Sequence, residues 1–324
     1  MAHELTQRAD GFYEMAFVGQ TPWHGLGQEL TENASIEQWQ KAAGMDWVIE
    51  KTPVTYVAGD DFDTKFLHKF EKQNVLYRSD NKMPLSVVSD RYKPVQPQEV
   101  LEFFRDLVEE NGFKINTAGT LKGGKHLWAL AETGKFGEVC KDDGVGGFLL
   151  LSTSCDRTLA TTARFTTVRV VCNNTLTASL RENKHTVSFS HLTQFDHEAV
   201  KAKLGNAVES FGGFMDMAKF LQKQQLNQQK SQEFVAQLMS SFTQITDPDY
   251  DITKNRSYKK IISLFDCEAK GLNLVGHTKW GMLNAVTEYV DFHNPSRTND
   301  ARLSNAWFGN GERMKSKAVE LLIA

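Results

Sequence analysis

Cysteine is scarce and scattered. The four thiols, Cys140, Cys155, Cys172 and Cys267, form no CxxC pair and no disulfide framework. The opening MAHELTQRADGFYEM is polar, with no basic-then-apolar leader, so the thiols read as reduced groups in the cytoplasm. Long apolar runs are also missing. The longest, GGFLLLSTSC, falls far short of the ~20 residues a membrane span needs and suits a buried strand. No membrane partner is expected.

The motifs of catalysis are absent as well. Lys122-Gly-Gly-Lys125 lacks the GxxxxGK[ST] spacing of a P-loop and reads as a hairpin turn whose lysines can touch a backbone phosphate. No glycine elbow surrounds a serine. His185, His191 and His197 stand six residues apart, not at the i, i+4 spacing of a helical zinc site. Cys155 and Cys172 lie in strand-like apolar surroundings, where thiols are usually inert. Asp60-Asp61 sits in a turn and reads as solvated. The sequence therefore predicts no metal, no cofactor, no catalytic residue and no enzyme.

What is present is an ordinary globular composition with an uneven charge. The formal net charge is −3, yet residues 1–77 carry 6 basic and 12 acidic side chains. Residues 157–184 hold Arg157, Arg164, Arg169, Arg181 and Lys184 against Glu182 alone. That asymmetry points to an anionic partner.

Periodicity supplies the elements. Ser35 caps a short helix with Ile36, Trp39 and Ala43 on one face. Residues 46–57 read as a strand, and 75–90 as a hairpin around Ser79-Asp80-Asn81-Lys82. The clearest helix is 97–112, with Pro97 at its start, Gly112 past its end, and a stripe of Val100, Leu101, Phe104, Leu107 and Val108. Two strands follow around 122–125, then two more at 148–155 and 163–180. From about Asp196 helical signals dominate, at 196–223, 230–245, 254–267 and 277–292, with a break at Asp247-Pro248-Asp249. The last stretch reads as loop and then a short helix. Strands followed by helices predict an α+β fold: a small antiparallel sheet with a projecting hairpin packed on a central helix, then an α-helical C-terminal part. Three regions are expected: an arm and first strands (1–60), a β-rich core with the central helix (61–190) and a helical region (191–324).

Four segments, TPWHGLG, SDRYKPVQPQEVLEFF, DRTLATTARFTTVRVVCNNTL and HTKWGMLNAVTEYVDF, resemble in order the phage/plasmid-like proteins grouped as domain of unknown function 932. That resemblance implies a mobile element in a host cell, with DNA replication, recombination or conflict with the host as its setting. At the level of fold alone the element order is similar to that of single-strand annealing proteins, which form rings or filaments and hold single-stranded DNA in a basic groove.

The candidate nucleic-acid contacts are therefore Arg157, Arg164 and Arg169, with Lys122 and Lys125 on the turn, Arg78 and Lys82 on the hairpin, and Arg91, Tyr92 and Lys93 beyond it. In an extended chain Arg91 and Lys93 share a face, and Tyr92 is free to stack a base. Arg164 and Arg169 are an odd number of residues apart, so one strand sends them to opposite faces. Trp23 and His24 in TPWHGLG suit a structural turn or an oligomer interface. The expected function is non-catalytic binding and annealing of single-stranded DNA by a homo-oligomeric ring or filament. The alternative is a protein-binding module, such as a host-defence antagonist or a virion or assembly protein. A hydrolase or nuclease ranks third.

Overall fold

The computed structural model describes residues 7–8, 10–19, 26–58, 66–169, 174–177, 186–192, 211–243, 250–296 and 299–324. The Trp23–His24 turn, the Asp247–Asp249 break, Cys172, Arg181 and His185 lie outside the described residues.

The strands are β1 (Met15–Val18), β2 (Gln28–Leu30), β3 (Ile49–Ala58), β4 (Phe66–Arg78), β5 (Pro84–Ser89), β6 (Lys114–Leu121), β7 (His126–Glu138), β8 (Gly144–Ser154), β9 (Thr161–Arg169), β10 (Asn174–Thr177) and β11 (Thr186–Phe189). Between them lie helices α1 (Ile36–Ala42) and α2 (Pro97–Asn111). The C-terminal part is α3 (Phe211–Gln222), α4 (Gln228–Ser240), α5 (Arg256–Ser263), α6 (Leu272–Val275), α7 (Lys279–Glu288), α8 (Asn299–Phe308) and α9 (Asn310–Ile323). The fold is α+β with its helices concentrated after the strands, as the sequence predicts.

Two sheets form. The large one runs β10-β9-β8-β7-β6-β1-β2, with β11 also on β9. The small one is β3-β4-β5. Residues 163–180 are not one strand: the chain turns back after Arg169, so that Asn174 pairs with Arg169 and Thr177 with Thr166. The C-terminal stretch is also more regular than expected, since 299–308 is helix before α9 begins.

Local chemistry explains the elements read correctly. Ser35 and Gln38 make a reciprocal capping box at the start of α1. Helix α2 runs from Pro97 to Asn111, and Gly112 follows with φ +66°. Its buried stripe is Val100, Leu101, Phe103 and Phe104, while Val108 is exposed. Asn255 and Thr278 cap α5 and α7 through their side chains.

Alternation along the large sheet separates two faces. One carries Leu127, Ala129, Ala131, Leu149, Leu151, Ala163 and Phe165 into the main core, which continues through Val100, Phe104, Phe214, Trp280 and Val286. The other carries Met15, Leu121, Trp128, Leu130, Phe148 and Leu150, and Leu303, Trp307 and Phe308 of α8 pack against it. The small sheet reaches the main core only at its root, through Ile49, Leu76, Leu85 and Val88. Beyond Pro53, β3 and the outer part of β4 leave the body as a two-stranded arm. Along β3 only Ile49 is buried.

Candidate nucleic-acid interface

The sequence-predicted cations divide by what surrounds them. Arg78 closes β4 and is buried, 1% exposed. Its Nη atoms donate to both Glu14 oxygens at 2.6 and 3.0 Å, and Nε and Nη2 donate to Asp80 at 3.0 and 2.8 Å. The guanidinium lies 4.2 Å from the Trp47 ring centroid. Burial opposes its charge, but the hydrogen bonds to Asp80 and Glu14 outweigh that and hold the group protonated. The Lys122–Lys125 turn serves this cluster. Gly124 has φ +92°, and a Cβ there would stand 2.7 Å from Trp47 and 3.0 Å from Arg78 Nη1. Arg78 is thus a structural ion, not a phosphate contact.

Arg169 is removed for the same reason. Its Nε donates to Asp143 Oδ1 at 2.5 Å, and Nη1 and Nη2 donate to the carbonyls of Lys270 and Gly271. The second oxygen of Asp143 accepts from Trp280 Nε1 at 2.8 Å. This fully buried carboxylate ties the end of β9 to α7. Arg164 does face the other side of the sheet, as the spacing requires, but α8 and α9 cover it. Nη1 donates to the Trp307 carbonyl at 3.4 Å, Glu312 lies 4.0 Å away, and the Nε is buried without a hydrogen bond. Burial lowers the Arg164 pKa, and Glu312 only partly opposes it.

Tyr92 is also lost to base stacking. It is buried, its hydroxyl donates to the Ser154 carbonyl at 2.9 Å, and its ring stacks on His191 at 4.8 Å. Burial raises its pKa above the ordinary phenol value. Lys82 is exposed but pairs with Glu50 at 3.0 Å.

The remaining five, Arg91, Lys93, Lys122, Lys125 and Arg157, lie on segments that hydrogen bonds tie together. The Tyr92–Ser154 bond fixes the 91–93 segment to the end of β8. Cys155 N–H donates to the Lys125 carbonyl at 2.9 Å, which joins the 122–125 turn to the 155–160 turn. Ser86 Oγ donates to the Cys155 carbonyl. Arg91, Lys93, Lys122 and Arg157 are exposed and Lys125 is half-buried. Among the described residues, Arg91, Lys93, Lys125 and Arg157 make no ion pair. Asp90 and Asp156 are the carboxylates in the same segments. Asp156 is engaged by Thr158, and the His126 Nε2 lies 3.5 Å from it. His126 is buried beneath the cations, and burial reinforced by Lys122 pushes its pKa down to about 4. It is neutral at pH 7 and adds no charge. Cys155 is buried there too, and burial pushes its thiol up to about 12, so it stays protonated at neutral pH.

The arm supplies what sequence reading missed. Asp90 N–H donates to the Lys72 carbonyl and Lys51 Nζ donates to the Asp90 carbonyl, so the root of the arm abuts the 90–93 segment. Farther out, Tyr56 stacks on His68 at 5.3 Å and is half-exposed, as is Phe70. Phe66–Lys72 mixes charge and apolar residues without a clean period, so β4 is legible only from about Val75. Among the described residues no three His, Cys, Asp or Glu side chains gather to hold a metal. No helix among them is long and apolar enough to cross a membrane.

Residues 84–307 match the family described as Domain of unknown function (DUF932), well over half of the chain. The chain belongs to the DUF932 family. The matched stretch of this DUF932 protein includes Asp143, Arg169 and Trp280, the Tyr92–Ser154 tie and all five of these cations. The arm strand β3 and all of β4 precede it. No curated protein and no solved structure matches the chain.

Proposed function

We propose that this DUF932 protein is a non-catalytic binder of single-stranded DNA from a phage or plasmid, acting in annealing during recombination as a homo-oligomer in the host cytoplasm. The single observation that supports the reading is that the segments bearing Arg91, Lys93, Lys122, Lys125 and Arg157 are hydrogen-bonded to one end of the large sheet. Backbone phosphates are held there by cations, which needs no cofactor and leaves bases free to pair. The projecting β3–β4 arm beside this end offers the Tyr56–His68 pair and Phe70 as stacking surfaces, in place of buried Tyr92.

The test is fluorescence anisotropy with a labelled ~50-nucleotide single strand, long enough for several sites of the usual size. Replacing Arg91, Lys93, Lys125 and Arg157 together by Ala abolishes binding at moderate salt. Each single change weakens binding alike for all sequences and lowers the log–log salt slope by about 0.7. An unchanged affinity in the quadruple variant overturns the reading. In that case the exposed Val57, Leu67 and Phe70 of the arm favour the protein-binding alternative, a host-defence antagonist or an assembly protein.

A further inference from the structure

Beyond Pro53 the arm is a ribbon of two strands whose outer edges pair with no other strand among the described residues, because β5 pairs only with the stretch of β4 from Gln73 to Tyr77. The two edges differ. The outer part of β4 carries Lys69, Glu71 and Lys72, and it is interrupted by a bulge at which Lys72 takes φ +59°. Charge and bulging are the devices that keep a strand edge from pairing. Strand β3 uses the same devices only near its root, at Lys51 and Pro53. Its outer part, Val54-Thr55-Tyr56-Val57-Ala58, has no charge, no proline and high strand propensity. Val57 is 60% exposed, and Leu67, paired with it inside the arm, is 71% exposed.

We propose that this edge pairs antiparallel with the same edge of a second copy of the chain about a two-fold axis at Tyr56. A two-fold contact sets a strand against itself, so any charge within it meets its own sign or a neighbour's. Among the described residues, Val54–Ala58 is the longest uncharged stretch of either edge. Pro53 ends the pairing on one side and fixes its centre. Thr55 of one copy then stands opposite Val57 of the other, and Val54 opposite Ala58. Pairing converts two marginal ribbons into one four-stranded sheet and covers part of the exposed apolar surface. Five residues per copy bury less than the ~1,200–2,000 Å² of a standard stable interface, so the pair is weak and depends on concentration. The inference does not depend on nucleic-acid binding.

Sedimentation equilibrium of the full chain without nucleic acid tests it. The wild type is expected to rise with concentration from the 36.5 kDa of one chain toward twice that mass. Thr55→Glu with Val57→Glu sets carboxylates opposite one another twice and should hold the chain at the monomer mass. Thr55→Lys with Val57→Glu sets opposite charges in the same register and should restore association. Circular dichroism on all three chains verifies that each is folded. A wild type that stays monomeric up to about 1 mM, the weak limit of specific association, overturns the proposal. So does a Glu/Glu variant that associates as the wild type does. Failure of the Lys/Glu variant to recover, with Glu/Glu monomeric, overturns the two-fold register.

Discussion

The body and the arm handle polarity in opposite ways. In the body, two clusters bury charges with their partners in place: Asp143 with Arg169 and Trp280, and Glu14 with Arg78. In the arm, apolar side chains such as Leu67 and Phe70 face solvent. A buried ion is costly unless every partner is in place, so such clusters fix architecture. An exposed apolar ribbon contributes little to folding, and such surfaces are where proteins bind partners. The family match begins at residue 84, after the arm and also after β1, β2 and α1 of the body.

Four expectations sharpen or break the comparison. The largest effect belongs to the Asp143 clamp. Asp143→Ala, or Arg169→Met, strands the opposite charge in the interior and should cost about 3–5 kcal/mol in urea unfolding. A loss below about 1 kcal/mol would return Arg169 to the list of surface cations.

Next comes acid sensitivity at His126. Its folded pKa near 4 lies below the ordinary 6.5, so the unfolded chain binds the proton more readily. Stability from this group is present above pH 6.5 and falls as pH drops toward 4, by about 3 kcal/mol at full extent. Denaturation midpoints at pH 7.0, 6.0, 5.0 and 4.5 measure the slope. His126→Gln should flatten most of it between pH 7 and 5; His293, which burial also depresses, and carboxylates held low by their partners, such as Asp80 and Asp156, contribute to the remainder.

Third, Arg164→Met should change stability by no more than about 1 kcal/mol, in contrast to Arg169→Met. Arg164 has only a distant carboxylate and an unbonded Nε, so a similarly shaped apolar chain replaces it well. Single-strand affinity should not move in either variant. The smallest effect is in the arm: Leu67→Ser or Phe70→Ser should shift thermal stability by less than about 0.5 kcal/mol. A large loss in either would mean that the arm belongs to the core.

The reach of the sequence follows from the same physics. Helix α2 was legible because its stripe and its Pro and Gly boundaries agree, and so was α1, where Ser35 and Gln38 cap each other. The strands at 148–154 and 161–169 were legible from their apolar content. The turn after Arg169 was not, because VRVVCNNTL keeps strand propensity through it. The outer part of β4 was hidden by its charges. Among the site residues, exposure was the quantity missing. Arg78, Arg164 and Arg169 look like Arg91 and Arg157 in one dimension, and only Glu14, Asp143 and Trp307, distant in sequence, separate them. Tyr92 was misplaced for a related reason. An extended triplet sends the tyrosine opposite its basic neighbours, and here that opposite side is the core.

One feature of β4 carries a mechanical meaning. The strand carries the chain from the outer arm, through the bulge at Lys72, to Arg78. It is a cantilever. Its fixed end is the Glu14–Arg78–Trp47 clamp, which also presses on Gly124 in the turn bearing Lys122 and Lys125. Its compliant point is the bulge at Lys72. A load on the outer ribbon therefore bends the bulge first and reaches the basic turn only when that slack is taken up.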